Sequence, residues 1–266
     1  MTEHYQYDDL LRAYSNVGVS KGRVVYVTGN FGKPGLYSEK GKQALLNAHL
    51  QALMQLLGDT GTLVVPTHSF SLCNTDNVFD SETTPSETGP FTELVRQQAG
   101  SVRQFHPFSS STALGAQAEF ICLHNSKHVY GLQSPFQRML DLDALFVSVG
   151  LPARRTASLI HHVEFMMGVP YRYTKEFLHP CRIDNEVEKI IFYLHVLYRD
   201  LGLVRDRNKK IFEKFLCQYE VVSSKLGLSF LESFNMREFV DSASRFMAED
   251  IYCWLQQPPT TRPYRL

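Results

Sequence analysis

The sequence predicts an α/β fold, a single domain on a central mixed β-sheet flanked by helices, and three neighbouring stretches carry that expectation. Arg23 to Gly32, RVVYVTGNFG, is β-branched and aromatic and ends in glycine, so it reads as a strand running into a tight loop. Gly41 to Leu57 places Leu45, Leu46, His49, Leu50, Leu53, Leu56 and Leu57 near helical spacing, and Gly58-Asp59 stops that helix. TLVVP, Thr62 to Pro66, then reads as a buried strand. Strand, helix and strand in that order make a parallel unit.

The other elements follow along the chain. Asp8 to Tyr14 reads as a short amphipathic helix. Thr67 to Pro90 is polar and broken by prolines; a loop of that length inside a compact domain is usually functional, and it is expected to wall a site. Pro90 to Gln98 and Ser134 to Leu142 read as helices and Leu145 to Val149 as a strand. Ala157 to Met167 reads as a helix closed by Gly168-Val169-Pro170. Val187 to Tyr198, with its IIFYLHVLY run, is taken as a strand, although the same run suits a buried helix. Asn208 to Tyr219 and Asn235 to Leu255 look helical around a short strand at Leu228 to Leu231, and PPTTRPYRL is an extended tail. No internal repeat is present, and 266 residues suffice for one sizeable core.

Composition excludes several classes. Hydrophobic residues at 44% and charged residues at 20% leave no room for large-scale disorder. With 27 basic and 27 acidic residues there is no broad positive field, so no nucleic-acid partner is expected. The short basic clusters Arg154-Arg155 and Arg205 to Lys210 read as solvated turns. Five scattered cysteines, Cys73, Cys122, Cys181, Cys217 and Cys253, form no CxxC pair and suggest reduced thiols. The polar N-terminus and the lack of a membrane-spanning run make a cytoplasmic location, with no membrane partner, the expectation.

The best local site is SLIHHVEF. On a helix His161 and Glu164 stand three residues apart on one face, with Ser158 one turn earlier. A carboxylate on one imidazole nitrogen fixes the tautomer and leaves the other nitrogen to take a proton from a nucleophile. The same pairing also occurs as a surface pair or a satisfied core histidine, so the residues alone leave both readings open. In RQFHPFSSSTALG, Pro107 forces His106 out of helical geometry and should project it from a loop, with Ser109, Ser110 and Ser111 following; a polar turn capping the next element is the plainer alternative. His124 and His128 have helical spacing but no third ligand, HExxH and G-x-S-x-G are absent, and no metal is expected.

Six pieces in order, GDTGTLVVPTHSF, FDSETTPSETGPFTELVR, VRQFHPFSSSTALGAQA, HVYGLQSPFQRM, ALFVSVG and SLIHHVEFMMGVPYRY, resemble the aminoglycoside 3-N-acetyltransferase family. They span about Val24 to Tyr173. The resemblance implies a fold unlike the GNAT acetyltransferases, with a family-like core at about 20–180 and residues 181–266 completing the fold and the acceptor pocket. It also implies acetyl-CoA or another acyl-CoA as cosubstrate and an amino-sugar acceptor. His161 then resembles the catalytic histidine, Glu164 its supporting carboxylate and Ser158 the hydroxyl residue before it. Thr28, Gly29, Asn30, Phe31, Ser109 and Ser110 fall where the CoA thioester is held, and Asp80, His106 and Ser134 where the acceptor is bound. Backbone N–H groups of the TGNFG turn, or Ser158, are candidates to hold the oxyanion. One departure is the absence of a histidine followed by serines after the first strand, where this chain has Val27-Thr28-Gly29-Asn30-Phe31.

A neutral chain is a poor match for polycations, which points to an anionic acceptor such as a nucleotide-linked amino sugar of surface polysaccharide synthesis. Antibiotic modification is the alternative, and a non-catalytic sugar- or nucleotide-binding homologue the rival from another class. The oligomeric state is left open, a homodimer included.

Overall fold

Apolar runs buried on both sides form the middle of the sheet. The computed structural model describes residues 4–261. Helix α1 (Tyr7–Asn16) leads into β1 (Val24–Gly29), the leucine-rich helix α2 (Lys42–Leu57) and β2 (Thr62–Pro66), which pairs in parallel with β1. Next come α3 (Pro90–Arg96), β3 (Ser101–Arg103), β4 (Ser111–Gly115), α4 (Ala118–Cys122), α5 (Pro135–Asp141) and β5 (Leu145–Val149). The short helices α6 (Ala153–Thr156) and α7 (Ile160–Met166) precede a long ribbon of β6 (Arg172–Ile183) and β7 (Glu186–Leu197). Helix α8 (Lys209–Phe215), strands β8 (Val222–Leu226) and β9 (Ser229–Asn235), and helix α9 (Met236–Glu249) complete the order.

The main sheet has the order β3-β4-β2-β1-β5-β9-β8. Its centre, β2-β1-β5, is parallel, while β4, β3, β9 and β8 pair antiparallel, so the sheet is mixed as expected. Alternation divides the core between two faces. Val25, Val27, Leu63, Val65 and Val147 pack with α1 and α2 on one side; Val24, Tyr26, Val64 and Phe146 pack with α5, α7, α8 and α9 on the other. The β6-β7 ribbon closes a third, smaller cluster with Phe79 and Phe108.

At the end of β1 the close approach to β5 demands glycine. Gly29 has φ +131°, and a Cβ there would lie 2.2 Å from the Val149 carbonyl oxygen.

Several expected elements differ. The serines after His106 are not only a capping turn, because Ser111 and Thr112 open β4; Thr67 Oγ1 lies 3.1 Å from Ser110 Oγ and 2.9 Å from Thr112 Oγ1, so these hydroxyls satisfy one another inside the sheet. The helix expected from Ala157 begins at Ile160, with Ser158 in the preceding turn. Strand β6 escapes an apolar reading because one face of its ribbon is exposed. The last helix stops at Glu249, after which the chain turns to bury Cys253, Trp254 and Leu255. Helix α4 ends before His124, which has φ +53°, so His124 and His128 share no helix face. No group of three potential metal-binding side chains, and no helix long and apolar enough to cross a membrane, occurs among the described residues.

Candidate active site

The parallel strands β2, β1 and β5 release their following loops on one edge of the sheet, the edge where open α/β sheets gather ligands. The segment after β5 carries Arg154, Arg155, Ser158 and then His161 on α7.

On α7, His161 Nδ1 lies 2.6 Å from Glu164 Oε2. Arg172, the first residue of β6, places Nε 2.9 Å from the same oxygen and donates Nη1–H to the His195 carbonyl at 3.1 Å. Arg172 Nη2 is also 3.0 Å from His161 Nδ1. Arginine only donates and a carboxylate only accepts, so one imidazole nitrogen cannot serve both. The shorter carboxylate contact puts the proton on Nδ1, which leaves Nε2 as the acceptor with no protein partner among the described residues.

Glu164 is fully buried. Burial pushes its carboxyl up, but the hydrogen bond from His161, the charges of His161 and Arg172 and the bond from Arg172 outweigh it and hold the group below the usual carboxylate range. Burial, reinforced by the Glu164 charge, pushes the neighbouring Tyr171 phenol far up, so it stays neutral. Trp254 stands edge-on to His161, with ring centroids 5.4 Å apart at 83°, and the Arg172 guanidinium lies 4.9 Å from its ring centroid.

His161 sits where two hollows adjoin. One, of about 310 Å³, is walled by Arg154, Arg155, Ser158, Arg207, Asn208 and Trp254; the other, of about 400 Å³, by Phe70, Ser109, Tyr130, Arg172, Leu194 and His195 among others. His161 and Arg205 line both. A base shared by two hollows is the arrangement that two substrates need.

The remaining sequence-predicted residues scatter. Thr28, Gly29, Asn30 and Phe31 line a third, largely apolar pocket of about 640 Å³ with Lys42, Leu45 and Phe91. Asn30 donates its N–H to Val149 O at 2.8 Å, and Gly32 N–H goes to Asn30 Oδ1 at 3.1 Å, so these two donors of the turn are committed internally. Ser158 lies beside the buried Tyr26 phenol and shares the first hollow with His161. Ser109 lines the second hollow, whereas Ser110 is buried, donating to the Thr67 carbonyl at 2.7 Å.

His106 does not project from its loop. It is fully buried against Phe192, and its Nδ1 accepts from Phe108 N–H and Ser109 N–H at 3.3 and 3.2 Å. Burial pushes its imidazole down to about 3. Ser134 is buried as the N-cap of α5, accepting from Gln137 N–H at 3.3 Å and donating to the Gly131 carbonyl. Asp80 caps its own turn through Glu82 N–H and Thr83 N–H and pairs with Arg182 at 3.4 Å, tying the long loop to β6. None of these three lines either hollow at His161.

Arg172, His195, Arg205, Asn208 and Trp254 escaped the sequence reading. Strand β6, the 205–208 turn and the C-terminal segment bring them in, and no spacing encodes that convergence. The single tryptophan in a chain rich in tyrosine and phenylalanine was the one compositional signal.

Comparison with known proteins bears on this geometry. Residues 37–248 match the family model described as aminoglycoside 3-N-acetyltransferase. Aminoglycoside N(3)-acetyltransferase VII of Streptomyces paromomycinus is 29% identical over 99 residues, covering 37% of this chain and 34% of that protein. Aminoglycoside N(3)-acetyltransferase III of Pseudomonas aeruginosa is 26% identical over 162 residues, covering 54% and 59%. The chain thus spans about a third and three fifths of the lengths of these curated relatives. Among solved structures, aminoglycoside acetyltransferase AAC(3)-Xa superposes with a TM-score of 0.78 at 19% identity, covering 91% of this chain and 92% of that one. AAC-IIIb, solved as a binary complex with CoASH, does so with 0.78 at 16% identity, covering 96% and 99%. The structural likenesses carry the fold. The family model, matching most of the length, carries the kinship: this chain belongs to the aminoglycoside 3-N-acetyltransferase family.

Proposed function

We propose that the protein is an acyl-CoA-dependent N-acyltransferase that acylates an amine of an amino sugar, with His161 as general base. The observation that carries this reading is His161 itself, its Nδ1–H held by Glu164 at 2.6 Å and its Nε2 free where two hollows adjoin. Such a nitrogen accepts a proton from the substrate amine as the amine nitrogen attacks the thioester carbonyl carbon. The resulting imidazolium is flanked by the buried Glu164 carboxylate, which needs no movement to offset the new charge. As the carbon–sulfur bond breaks, the electron pair leaves on the thiolate, and the proton on Nε2 returns to it or to water.

CoA needs an apolar slot for its pantetheine arm and cations for its phosphates. The pocket at the end of β1 fits the first requirement through Leu45, Leu46 and Phe91, and Lys42 is its one cation among the described residues. No described residue lines both that pocket and a hollow at His161, so CoA with its arm there would have to pass its thioester into one of those hollows, where it supplies the activated acyl group. The protein's own residues supply the proton acceptor and its orientation.

Kinship supports an aminoglycoside as acceptor over the nucleotide-linked amino sugar suggested by the neutral net charge, since the curated relatives are named as aminoglycoside enzymes. The lining of the first hollow favours a second reading, an amine that also bears a negative group, because four arginines wall it.

Release of free thiol from acetyl-CoA, followed with an aminoglycoside, glucosamine and phosphorylated glucosamines as acceptors, tests the reaction. Transfer abolished by His161→Ala is the expected result. Transfer that survives the substitution undiminished overturns the role of His161, and the absence of an N-acetylated product with every amine overturns the reaction.

A further inference from the structure

Two basic runs far apart in the sequence converge on His161. Arg154 and Arg155 lie on α6, Arg205 and Arg207 on the approach to α8, and all four line the same hollow as the catalytic imidazole. Arg205 also lines the adjoining hollow, with Arg172 and Arg199. Arg154, Arg155, Arg205 and Arg207 are exposed, as expected from the sequence, and they stand on two sides of one open cleft.

Among the described residues no carboxylate pairs with these cations, and Asp206, between Arg205 and Arg207, accepts from Lys210 N–H instead. Among the described residues, neither hollow has an aspartate or glutamate in its lining. Among the described residues, Arg154, Arg155, Arg199, Arg205 and Arg207 make no ion pair, and Glu164 is already taken by His161 and Arg172. Guanidinium groups gathered this way repel one another and raise a positive potential over the cleft. A polycationic acceptor would meet that potential unfavourably.

The convergence is also built in from below. Buried Asn208 accepts from Trp254 Nε1 at 2.8 Å and donates to the carbonyls of Arg154 at 2.9 Å and Ala157 at 3.4 Å. One amide side chain thus fastens the α6 wall to the 205–208 wall. Arg207 and Asn208 both have positive φ, +59° and +62°, a conformation that costs free energy in non-glycine residues.

We propose that the amine acceptor carries a phosphate, seated between Arg154-Arg155 and Arg205-Arg207 while its amine reaches His161 Nε2. This rests on the N-acyltransferase reading above. Phosphate matches the fork of an arginine side chain better than any neutral group, and its double charge suits several guanidiniums at once. A phosphate of CoA presents the same chemistry, so the test separates the two sources.

Initial rates are measured with glucosamine, glucosamine 1-phosphate, glucosamine 6-phosphate and an aminoglycoside, using acetyl-CoA and its 3′-dephospho form. The wild-type enzyme is expected to favour a phosphorylated acceptor over glucosamine by at least about tenfold in kcat/KM, one charge-assisted contact's worth. Arg205→Ala and the double variant Arg154→Ala, Arg155→Ala are expected to raise KM for that acceptor about tenfold with a smaller change in kcat, and Arg205→Lys to recover part of the loss. Calorimetric binding of the phosphorylated glucosamines, weakened in Arg205→Ala, reads the site without turnover. It therefore separates failure of the phosphate site from failure of the acyl transfer. Equal use of glucosamine and its phosphates, or a higher kcat/KM for the aminoglycoside, overturns the proposal. So does a defect in the arginine variants that appears in KM for acetyl-CoA, its loss with the dephospho form assigning the arginines to the 3′-phosphate and its persistence to the diphosphate.

Discussion

Trp254 and Asn208 are joined by a hydrogen bond of 2.8 Å from the indole Nε1–H to the amide oxygen, and that bond locks the C-terminal segment beneath His161. The indole stands nearly perpendicular to the imidazole and turns a face to Arg172. Asn208→Ala removes this bond together with those to the Arg154 and Ala157 carbonyls, and leaves a buried indole N–H unpaired. A loss of about 1–3 kcal/mol is expected from the orphaned donor alone. Trp254 is the single tryptophan, so its emission reports the change directly. A red shift with a lower urea midpoint is the expected outcome; an unshifted spectrum would remove Asn208 from its place as the fastener of the cleft.

His161 and Glu164 are expected to separate when activity and stability are measured side by side. His161 is about a quarter exposed, with a side-chain accessibility of 26%, whereas Glu164 has 0% and Arg172 7%. His161→Ala should cost about 10²–10⁴-fold in kcat through loss of the proton acceptor, with little change in the urea midpoint. Glu164→Ala strips a buried arginine of its carboxylate, and breaking such a pair costs about 3–5 kcal/mol. It should lower activity and stability together. A Glu164→Ala protein as stable as the parent would show that Arg172 finds another counter-charge.

The division between what the sequence discloses and what it hides has a physical basis. Val24 to Gly29, Thr62 to Pro66 and Leu145 to Val149 are readable because both faces of these strands are buried, so nearly every residue is apolar. Strands β3 and β8 lie at the sheet edges and β6 in the ribbon, where polar side chains are satisfied by water, and internal β4 opens on hydroxyls satisfied through Thr67, so their runs look like loops. His161 and Glu164 are legible because three residues on a helix make neighbours. Arg172 and Trp254 complete the same cluster through chain reversals, which leave no local pattern. His106 misleads because a proline after it excludes helix without saying which way the ring turns, and here it turns inward against Phe192.

At the end of β1, Gly29→Ala is expected to be disruptive although alanine adds one methyl group. That methyl would fall 2.2 Å from Val149 O and 2.6 Å from Val149 N, both backbone atoms of the paired strand, in a residue with φ +131°. The strands must part for it to fit, and the neighbouring Asn30–Val149 bond would go with them. Loss of soluble protein, or a drop of more than about 3 kcal/mol in unfolding free energy, is the expected result. A variant of normal stability would mean that β1 and β5 separate at this point at little cost.

Acid sensitivity should come from the buried imidazoles, of which two stand outside the hollows at His161. His49 is fully buried between Tyr5 and Tyr14, its Nδ1 2.8 Å from the Tyr14 hydroxyl, and burial lowers its pKa from 6.5 to about 3. His106 is likewise buried and lowered to about 3. Below pH 6.5 the unfolded chain takes up a proton at each of these positions and the folded chain does not, so protons favour unfolding. Their contribution to stability is complete above the unfolded pKa and falls as the pH drops from 6.5 towards 3, by about 1.4 kcal/mol per pH unit for each histidine. Urea midpoints measured between pH 8 and pH 4.5 should show a plateau and then a steep decline. His49→Gln, whose amide can still meet a tyrosine hydroxyl, should reduce the slope of that decline by one proton's worth, even though it lowers stability at pH 8. A slope identical to the parent's would show that the His49 imidazole already carries its proton in the folded protein.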